Sequence, residues 1–382
     1  MNKKIRLATT LILSLIILSL HTFAAFELPQ YGGKINARSA VLMEMSSGKI
    51  LYSLNADTPY SPASVTKIMT VLLIVEAIEN KQIAESDIVT VSDTASKMGG
   101  SQVYLKAGEE MSVGEMLKCV LVSSANDASV ALAEKLYGSE DSFVAQMNAR
   151  AKELGMTNAQ FTNATGLDDD GGNLMSANDI AIASRELLKH EEIFKYTTIW
   201  MDSIRDGAFG LTNTNRLIRF YKGANGLKTG STSKAGYCIS ATAKRDGMQL
   251  IAVIMGSETR DIRNDAAKAL LDFGFSNSAL HSTGAELLND MPIYAANKQT
   301  LKIGVNSNSI LTSKALSDKI ERKINLTEDL KAPICAGDTV GTVDFIANGE
   351  TVDSEPILAL EDADRIGFTG IFKKLFLKML YV

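Results

Sequence analysis

The order of apolar and polar residues predicts strands at both ends of a helical region. Residues 39–44 and 49–52 have strand character, and Ser46-Ser47-Gly48 between them predicts a turn. Further along, residues 237–244 alternate between apolar and polar, and Asp246-Gly247 is a favoured two-residue hairpin turn. An apolar run follows that turn, so a second hairpin is predicted.

Helical periodicity dominates the chain between these hairpins. The predicted helices are the apolar run after Pro62, residues 113–137 with a break around Ser123-Ser124, the amphipathic runs 140–155 and 178–189, and residues 261–273. The Asn-, Asp- and Gly-rich residues 163–173 predict a loop. Strands at both ends with helices between them indicate an α+β domain, whose terminal strands could share one antiparallel sheet.

A change of character near residue 285 predicts a second, small, all-β domain. Its short strand-like runs are residues 292–296, 301–305, 320–326, 339–346 and 357–360, and Asn348-Gly349 marks a hairpin. We therefore expect a first domain over residues 33–275, an all-β domain over 283–362 and a separate tail over 366–382.

The tail has the pattern of a basic amphipathic helix. Apolar residues recur at helical spacing, and lysines occupy the other side: Ile371, Phe372, Leu375, Phe376, Met379 and Leu380 against Lys373, Lys374 and Lys378. Such a helix binds at a membrane interface. The alternative is a helix packed on its own domain, but the terminal position and the lysines favour the membrane.

The first residues have the pattern of a secretory signal peptide over residues 1–24. Three basic residues precede an apolar run over residues 7–20, and Thr22-Phe23-Ala24 supplies small residues at the cleavage positions. The alternative is a transmembrane helix, but a run of about 14 residues is shorter than the roughly 20 that span a bilayer. We therefore expect an exported protein.

The size and net charge of the chain indicate how many domains it can form and which binding partners are disfavoured. The chain has 382 residues, 46% of them hydrophobic, which is enough for a large core and two or three domains. Its formal net charge is −5, and it becomes three units more negative without residues 1–24, which hold three basic and no acidic residues. Such an acidic protein is a poor candidate for nucleic-acid binding.

Cysteine and histidine are too sparse for a disulfide framework or a histidine-rich metal site. Cys119, Cys238 and Cys335 form no Cys-x-x-Cys pair, and an odd number leaves at least one thiol unpaired. We expect Cys119 and Cys238 in the core and Cys335 partly exposed. With three histidines and no His-Glu-x-x-His motif, a zinc site or a histidine-based triad is disfavoured.

Three short motifs carry candidate chemistry, and each is weak alone. Ser64-Val65-Thr66-Lys67 places an amine and a hydroxyl on one helical face, so Lys67 can act as the base for Ser64 if its pKa is lowered. Ser124-Ala125-Asn126 offers a second serine as a proton relay, and an amide that can bind the substrate or Lys67. The alternative for this second motif is a helix cap.

The third motif, Lys228-Thr229-Gly230, precedes a predicted strand whose edge can pair with an extended peptide. Lys228 would lower the pKa of Lys67. Thr229 can donate to a carboxylate, and Gly230 lets a substrate backbone approach closely.

The backbone N–H groups of Ser64 and Ser231 are candidates for an oxyanion hole. Together the three motifs match the set found in penicillin-binding proteins and class A β-lactamases, with serine as the nucleophile.

Longer segments around these motifs resemble the serine D-alanyl-D-alanine carboxypeptidases, a family of low-molecular-mass penicillin-binding proteins. The resemblance is strong over residues 35–275, and it rests on residues 61–70, 98–102, 124–128, 163–167 and 225–230. Two positions depart from the family pattern: Ala125 stands where glycine is usual, and Asn225 stands where aspartate is usual.

The resemblance implies a penicillin-recognising α+β catalytic domain that removes the terminal D-alanine from peptidoglycan pentapeptide stems through an acyl-enzyme on Ser64. It implies that β-lactams acylate the same serine, and it implies no metal or organic cofactor. Arg263 stands where a family arginine contacts the terminal carboxylate of the substrate; the alternative is a charge on a helix surface. The expected location is the outer face of the cytoplasmic membrane.

Two other functions fit part of the pattern. A β-lactamase shares the motif set, but the chain contains no Glu-x-x-Leu-Asn segment, and an all-β domain fits that class poorly. The other is a weakly catalytic penicillin-binding protein that recognises the wall. Transpeptidase and endopeptidase side reactions stay open.

Overall fold

The structure is a computed structural model that describes residues 29–167 and 172–380. Contacts divide this part of the chain into two units, one over residues 29–278 and one from residue 279 onward. The signal peptide predicted over residues 1–24 lies outside the described residues.

The first unit contains a central five-stranded sheet and two small two-stranded sheets. Its strands are β1 (Ser39–Glu44), β2 (Ile50–Leu54), β3 (Ile88–Thr90), β4 (Glu110–Ser112), β5 (Met201–Ile204), β6 (Phe209–Thr212), β7 (Ala224–Thr232), β8 (Gly236–Arg245) and β9 (Met248–Ser257). The central sheet has the order β2-β1-β9-β8-β7, and all neighbours are antiparallel. The strands at both ends of this unit therefore share one sheet.

Helices fill the chain between these strands and follow the last of them. They are α1 (Lys67–Glu79), α2 (Asp93–Ser96), α3 (Val113–Val122), α4 (Asn126–Tyr137), α5 (Glu140–Glu153), α6 (Ala177–Leu187), α7 (Phe194–Thr197), α8 (Leu217–Phe220) and α9 (Arg260–Asn277), with 3-10 turns at Ala63–Thr66 and Glu191–Ile193. The predicted break at Ser123-Ser124 separates α3 from α4. The closing helix α9 is longer at both ends than the predicted 261–273.

The sheet is covered on both faces, which explains why all six residues of β1 are buried. Val41 and Met43 belong to the large core that helices α1 and α3 to α6 complete. On the opposite face, Gly274 of α9 lies close to Leu42 and Leu250. Successive residues of a strand point to opposite faces. A strand between two helical layers is therefore buried on both faces, and most of its residues are apolar.

The strands that follow α9 build the small second unit. They are β10 (Ser278–Thr283), β11 (Glu286–Leu287), β12 (Met291–Pro292), β13 (Thr300–Leu301), β14 (Ile303–Val305), β15 (Asn308–Ser313), β16 (Glu321–Leu326), β17 (Thr339–Ala347) and β18 (Glu350–Ala359), with a 3-10 turn at Lys314–Lys319. Five of them form a sheet in the order β11-β14-β18-β17-β16. The unit has its own buried cluster around Ile303, Val343 and Ile357.

The hairpin predicted at Asn348-Gly349 joins β17 to β18. Ala347 pairs with Glu350, and φ is 51° at Asn348 and 82° at Gly349, as a two-residue turn of type I′ requires. The prediction of one strand over residues 292–296 is wrong. Only its first residue lies in a strand, because the residues after it form isolated bridges with two different partner segments.

The last described element is α10 (Phe368–Leu380). Several of its apolar side chains are exposed: Phe368, Ile371, Phe372, Phe376 and Met379. This exposure disagrees with the alternative of a helix packed through its apolar side onto its own domain. Across residues 29–167 and 172–380, no helix has the length and apolar character needed to cross a membrane.

Candidate active site

Ser64 lies in a tight turn at the start of helix α1. The 3-10 turn over Ala63–Thr66 leads directly into the α-helix at Lys67. Residues i and i+3 eclipse each other in 3-10 geometry, so Ser64 and Lys67 face the same side. The predicted pairing is present, although Ser64 lies in the 3-10 turn rather than in the α-helix.

The side-chain amine of Lys67 is the centre of a buried network. Its Nζ lies 3.0 Å from Ser64 Oγ, 2.6 Å from Asn126 Oδ1 and 2.7 Å from the carbonyl oxygen of Thr165. The side chain is completely buried. Three polar atoms therefore surround one amine, one from each of three separate segments.

Two causes lower the pKa of Lys67 well below its ordinary value: burial first, and then the positive charge of Lys228. The carboxylate of Asp127 opposes this shift. A low pKa makes the neutral amine accessible near neutral pH, and only the neutral amine can accept a proton from Ser64.

The second motif lies between helices α3 and α4. Ser124 has a φ of 63°, and its Oγ is buried with no hydrogen-bond partner among the described residues. Asn126 donates from Nδ2 to the carbonyl of Gly99 at 2.7 Å while its Oδ1 accepts from Lys67. The backbone N–H of Asn126 donates to Ser101. A helix cap does not explain Ser124, because Ala125 is the N-cap residue of α4.

The third motif lies on β7, an edge strand of the central sheet. Lys228 is buried and donates to the carbonyl of Thr229 at 2.9 Å. Burial, followed by the charge of Arg263, lowers the pKa of Lys228 to about 7. The hydroxyl of Thr229 donates to Thr214 at 2.8 Å.

Gly230 allows β7 to approach the Ser64 turn. A Cβ atom at this position would lie 2.8 Å from both the Ser64 backbone nitrogen and the Pro62 carbonyl oxygen. A side chain cannot fit there, so the strand that carries Ser231 passes directly against the turn that carries Ser64.

Arg263 is buried, with a relative exposure of 3%, so it is not a helix-surface charge. Its guanidinium donates to Asn264 Oδ1 at 2.9 Å and to the carbonyl of Cys238 at 3.3 Å. Cys238 pairs with Gly230 across β7 and β8, so Arg263 lies behind the third motif. Burial, and next the charge of Arg260, lower its pKa to about 10.

A cavity of about 450 Å³ opens over these residues. From the predicted set, it is lined by Ser64, Ser124, Thr229, Gly230, Ser231 and Arg263. Lys67, Asn126 and Lys228 are buried and do not line it. The structure thus brings all nine predicted site residues to one place, six at the cavity surface and three beneath it.

Several site residues were not predicted from the sequence. Arg216 and Arg260 also line the cavity, and no residue in its described lining is acidic. Thr165 contributes only a backbone carbonyl, which no residue-type pattern can reveal. Asp127 accepts from the N–H groups of Val103 and Leu105, so it anchors the 98–105 segment beside Asn126.

No cysteine thiol is among the polar atoms that surround the Lys67 amine. Cys119 and Cys238 are buried and Cys335 is exposed. Burial, with a further contribution from Asp127, raises the pKa of Cys119 to about 12. Within the described residues, no three His, Cys, Asp or Glu side chains come together as a metal site would require.

Comparison with known proteins finds two families along the chain. The family described as D-alanyl-D-alanine carboxypeptidase matches residues 24–259. The family described as penicillin-binding protein 5, C-terminal domain, matches residues 275–365. D-alanyl-D-alanine carboxypeptidase DacF of Bacillus subtilis is 41% identical over 97% of this chain and 97% of its own length. DacC of Escherichia coli is 33% identical over 88% of this chain and 86% of its own length.

Solved structures agree with these matches. Penicillin-binding protein 5 from Haemophilus influenzae has a TM-score of 0.81 at 30% identity, covering 88% of this chain and 100% of that one. Penicillin-binding protein D2 from Listeria monocytogenes, in an ampicillin-bound form, has a TM-score of 0.59 at 31% identity, covering 64% of this chain and 100% of that one.

Proposed function

This chain belongs to the D-alanyl-D-alanine carboxypeptidase family, and on that premise we propose that Ser64 is its nucleophile and Lys67 its general base. The chain is a serine-type D-Ala-D-Ala carboxypeptidase, and its relatives favour this activity over the β-lactamase and wall-recognition alternatives. One observation supports the assignment of the nucleophile above all. Ser64 Oγ lies 3.0 Å from a buried lysine amine whose pKa is strongly lowered.

Acylation begins when the neutral amine of Lys67 removes the proton of Ser64. The hydroxyl oxygen then attacks the carbonyl of the penultimate D-alanine, and the tetrahedral oxyanion forms between the backbone N–H groups of Ser64 and Ser231. Gly230 supports this role, because its lack of a side chain lets the two segments approach each other.

Ser124 is proposed to pass the proton on to the departing amine. Ser124 lines the cavity together with Ser64, and its Oγ has no hydrogen-bond partner among the described residues. The C–N bond then breaks, D-alanine leaves as the free amine, and the peptide stays attached to Ser64 as an ester. Water hydrolyses that ester and regenerates the hydroxyl.

The cavity lining suits a peptide with a terminal carboxylate. Arg263 and the Thr229 hydroxyl are proposed to bind that carboxylate, and the exposed edge of β7 is proposed to pair with the extended substrate backbone. Asn126 lies beneath the cavity surface, so its predicted contact with a substrate amide is proposed only through the N–H of Nδ2 that does not bond Gly99. Lys228 contributes its charge to the site without lining the cavity.

β-Lactams are proposed to acylate Ser64 through the same steps. The Listeria monocytogenes relative is described with ampicillin bound, and another of its structures with cefotaxime bound. The opened β-lactam ring keeps its leaving nitrogen tethered in the cavity, so the ester is long-lived.

One experiment tests the nucleophile and the activity together. Protein incubated with benzylpenicillin should gain the mass of one drug molecule, and peptide mapping should assign the adduct to Ser64. The same preparation should release D-alanine from an N-acylated Lys-D-Ala-D-Ala peptide, and Ser64→Ala should abolish both reactions. An adduct on another residue, or release by the variant, would overturn the assignment.

Export and membrane attachment complete the proposal. The relatives are D-alanyl-D-alanine carboxypeptidases of Bacillus subtilis and Escherichia coli, and residues 1–24 carry the signal-peptide pattern. Helix α10 exposes Phe368, Phe372 and Met379, and its sequence carries three lysines. Such a helix is proposed to hold the enzyme on the outer face of the cytoplasmic membrane, where its substrate is assembled.

A further inference from the structure

The contact between Lys67 and the Thr165 carbonyl helps to set the orientation of the lone pair on Lys67 Nζ. Lys67 Nζ lies 2.7 Å from the Thr165 carbonyl oxygen and 2.6 Å from Asn126 Oδ1. Both oxygens can only accept hydrogen bonds. A neutral amine has two N–H groups and one lone pair, so these two acceptors occupy both N–H groups. The third direction, toward Ser64 Oγ at 3.0 Å, is then left for the lone pair.

The Thr165 carbonyl must itself be held, because it belongs to a loop without regular structure. The side chain of Asn163 holds it. Asn163 Oδ1 accepts from the backbone N–H of Thr165 at 3.1 Å, from the Thr165 hydroxyl at 3.2 Å and from the backbone N–H of Gly166 at 2.7 Å. These three bonds fix the backbone on both sides of the carbonyl that meets Lys67.

Asn173 joins this loop to the nucleophile segment. Its side chain is fully buried, and its Oδ1 accepts from the backbone N–H groups of Thr162 at 2.7 Å and Asn163 at 3.1 Å. Its Nδ2 donates to the Asn163 carbonyl at 3.0 Å and to the Thr66 hydroxyl at 3.0 Å. Thr66 immediately precedes Lys67, so one amide joins the residue before Lys67 to Asn163, the residue whose side chain holds Thr165.

We propose that Asn163 and Asn173 are positioning residues for the reaction, which aim the lone pair of Lys67 at Ser64 through the Thr165 carbonyl. Neither lines the cavity, so neither is assigned a contact with substrate. The proposal rests on Lys67 acting as the base for Ser64. It adds a second layer of residues whose removal slows acylation and leaves substrate binding intact.

The chain offers a matched control on the same loop. Asn148 also clamps this loop through both ends of its amide, accepting from the Phe161 N–H at 2.9 Å and donating to the Phe161 carbonyl at 2.8 Å. No bond of Asn148 reaches residues 163–166 among the described contacts. Asn148→Ala should therefore loosen the loop without turning the Thr165 carbonyl.

The test compares Asn173→Ala, Thr66→Val and Asn148→Ala in the full-length protein. For each, the acylation rate with benzylpenicillin is measured from pH 5 to 10, and kcat and KM are measured for D-alanine release. Asn173→Ala should lower the plateau of the acylation rate about 10- to 100-fold, the scale of a misplaced catalytic group, with KM changed less than about threefold. Asn148→Ala should keep the wild-type plateau.

Thr66→Val keeps the test decisive if Asn173→Ala fails to fold, since it removes one hydroxyl and nearly preserves shape. Thr66→Val should lower the same plateau by about three- to tenfold. The double variant Asn173→Ala/Thr66→Val should be no slower than Asn173→Ala, because both changes remove the same Asn173–Thr66 hydrogen bond. The proposal would be overturned if folded Asn173→Ala or Thr66→Val kept the wild-type plateau of the acylation rate. It would also be overturned if the variants changed only KM, or if Asn148→Ala lowered the plateau as much as they do. Failure of the wild-type protein to acylate at Ser64 would instead count against the proposed function.

Discussion

Gly230 and Ser64 are in closer contact than any side chain at residue 230 would allow. A Cβ atom on Gly230 would lie 2.8 Å from the Ser64 backbone nitrogen and 2.9 Å from that of Val65. Both neighbours are backbone atoms that cannot rotate away. The spacing between the third motif and the nucleophile is therefore set by the absence of a single methyl group.

Gly230→Ala should abolish acylation. Moving β7 away from the Ser64 turn separates the two N–H groups proposed to bind the oxyanion, which costs about 100-fold or more in rate. Reaction with a fluorescent penicillin measures this loss. Gly210→Ala is the control, because a Cβ atom on Gly210 of β6 would meet nothing within 4 Å. Acylation by Gly230→Ala at the wild-type rate would contradict the oxyanion assignment.

Lys228→Met should change the pH dependence of acylation. The charge of Lys228 lowers the pKa of Lys67, so its removal raises that pKa and leaves less neutral amine at a given pH. The acid limb of the acylation profile should move to higher pH, and the rate at a fixed pH on that limb should fall about tenfold when the Lys67 pKa rises by one. An unchanged or acid-shifted limb would show that Lys228 does not tune the base.

The same variant should be more stable than wild type in acid. The pKa of Lys228 is about 7 in the folded protein and near 10.5 in the unfolded chain, so the unfolded state binds more protons between these values. Wild-type stability should therefore rise as the pH increases from about 7 to 10. Lys228→Met loses the contribution of Lys228 to this rise and keeps that of Lys67, and its advantage of about 1–4 kcal/mol should be largest at pH 6. Urea unfolding at pH 6 and pH 9 measures both effects, and a variant less stable at pH 6 would contradict the argument.

Arg263→Gln should weaken the use of peptides that end in a free carboxylate. A charged hydrogen bond is worth about 1.5–3 kcal/mol, so kcat/KM for D-alanine release should fall about 10- to 100-fold. Arg219→Gln is the control, because Arg219 is exposed on α8 and does not line the cavity. Equal losses in both variants would argue against a carboxylate contact at Arg263.

Removal of residues 367–382 should release the protein from membranes without changing its chemistry. Helix α10 exposes five large apolar side chains, and their burial in a lipid interface favours attachment. Sedimentation with anionic lipid vesicles should carry down the protein with α10 and leave the truncated form in solution. Both forms should release D-alanine from a soluble peptide at the same rate. Sedimentation of the truncated form would place the membrane contact elsewhere.

Residue types and spacing predict the proximity of Ser64 and Lys67 that the structure shows. The interval of three between Ser64 and Lys67 places them on one face whether the turn is α-helical or 3-10. The order of elements also predicted the shared sheet, because β1 and β9 are strongly apolar. The family and its catalytic activity, suggested by the motifs, are confirmed by the comparisons.

The roles of other site residues could not be inferred from residue types, although residues 163–167 are among the segments that resemble the family. The Thr165 carbonyl is a backbone atom, and Asn173 in an Asn- and Gly-rich stretch is indistinguishable from an ordinary loop residue. Arg263 could not be separated from a helix-surface charge until its 3% exposure was known. Strands β10 and β15 were missed, because their polar residues give no clear alternation.

The antiparallel pairing of β1 with β9 governs when the enzyme can first exist during synthesis. Ala40 of β1 pairs with Ile254 of β9, and Ile254 is synthesised more than 200 residues after Ala40. At a ribosome speed of about 5–20 residues per second, the nascent β1 segment remains without its neighbour for roughly ten seconds or longer. Lys228, whose charge lowers the pKa of Lys67, lies on β7 and joins β1 in the sheet only through β8 and β9. The reactive amine arises only when the last strand closes the sheet.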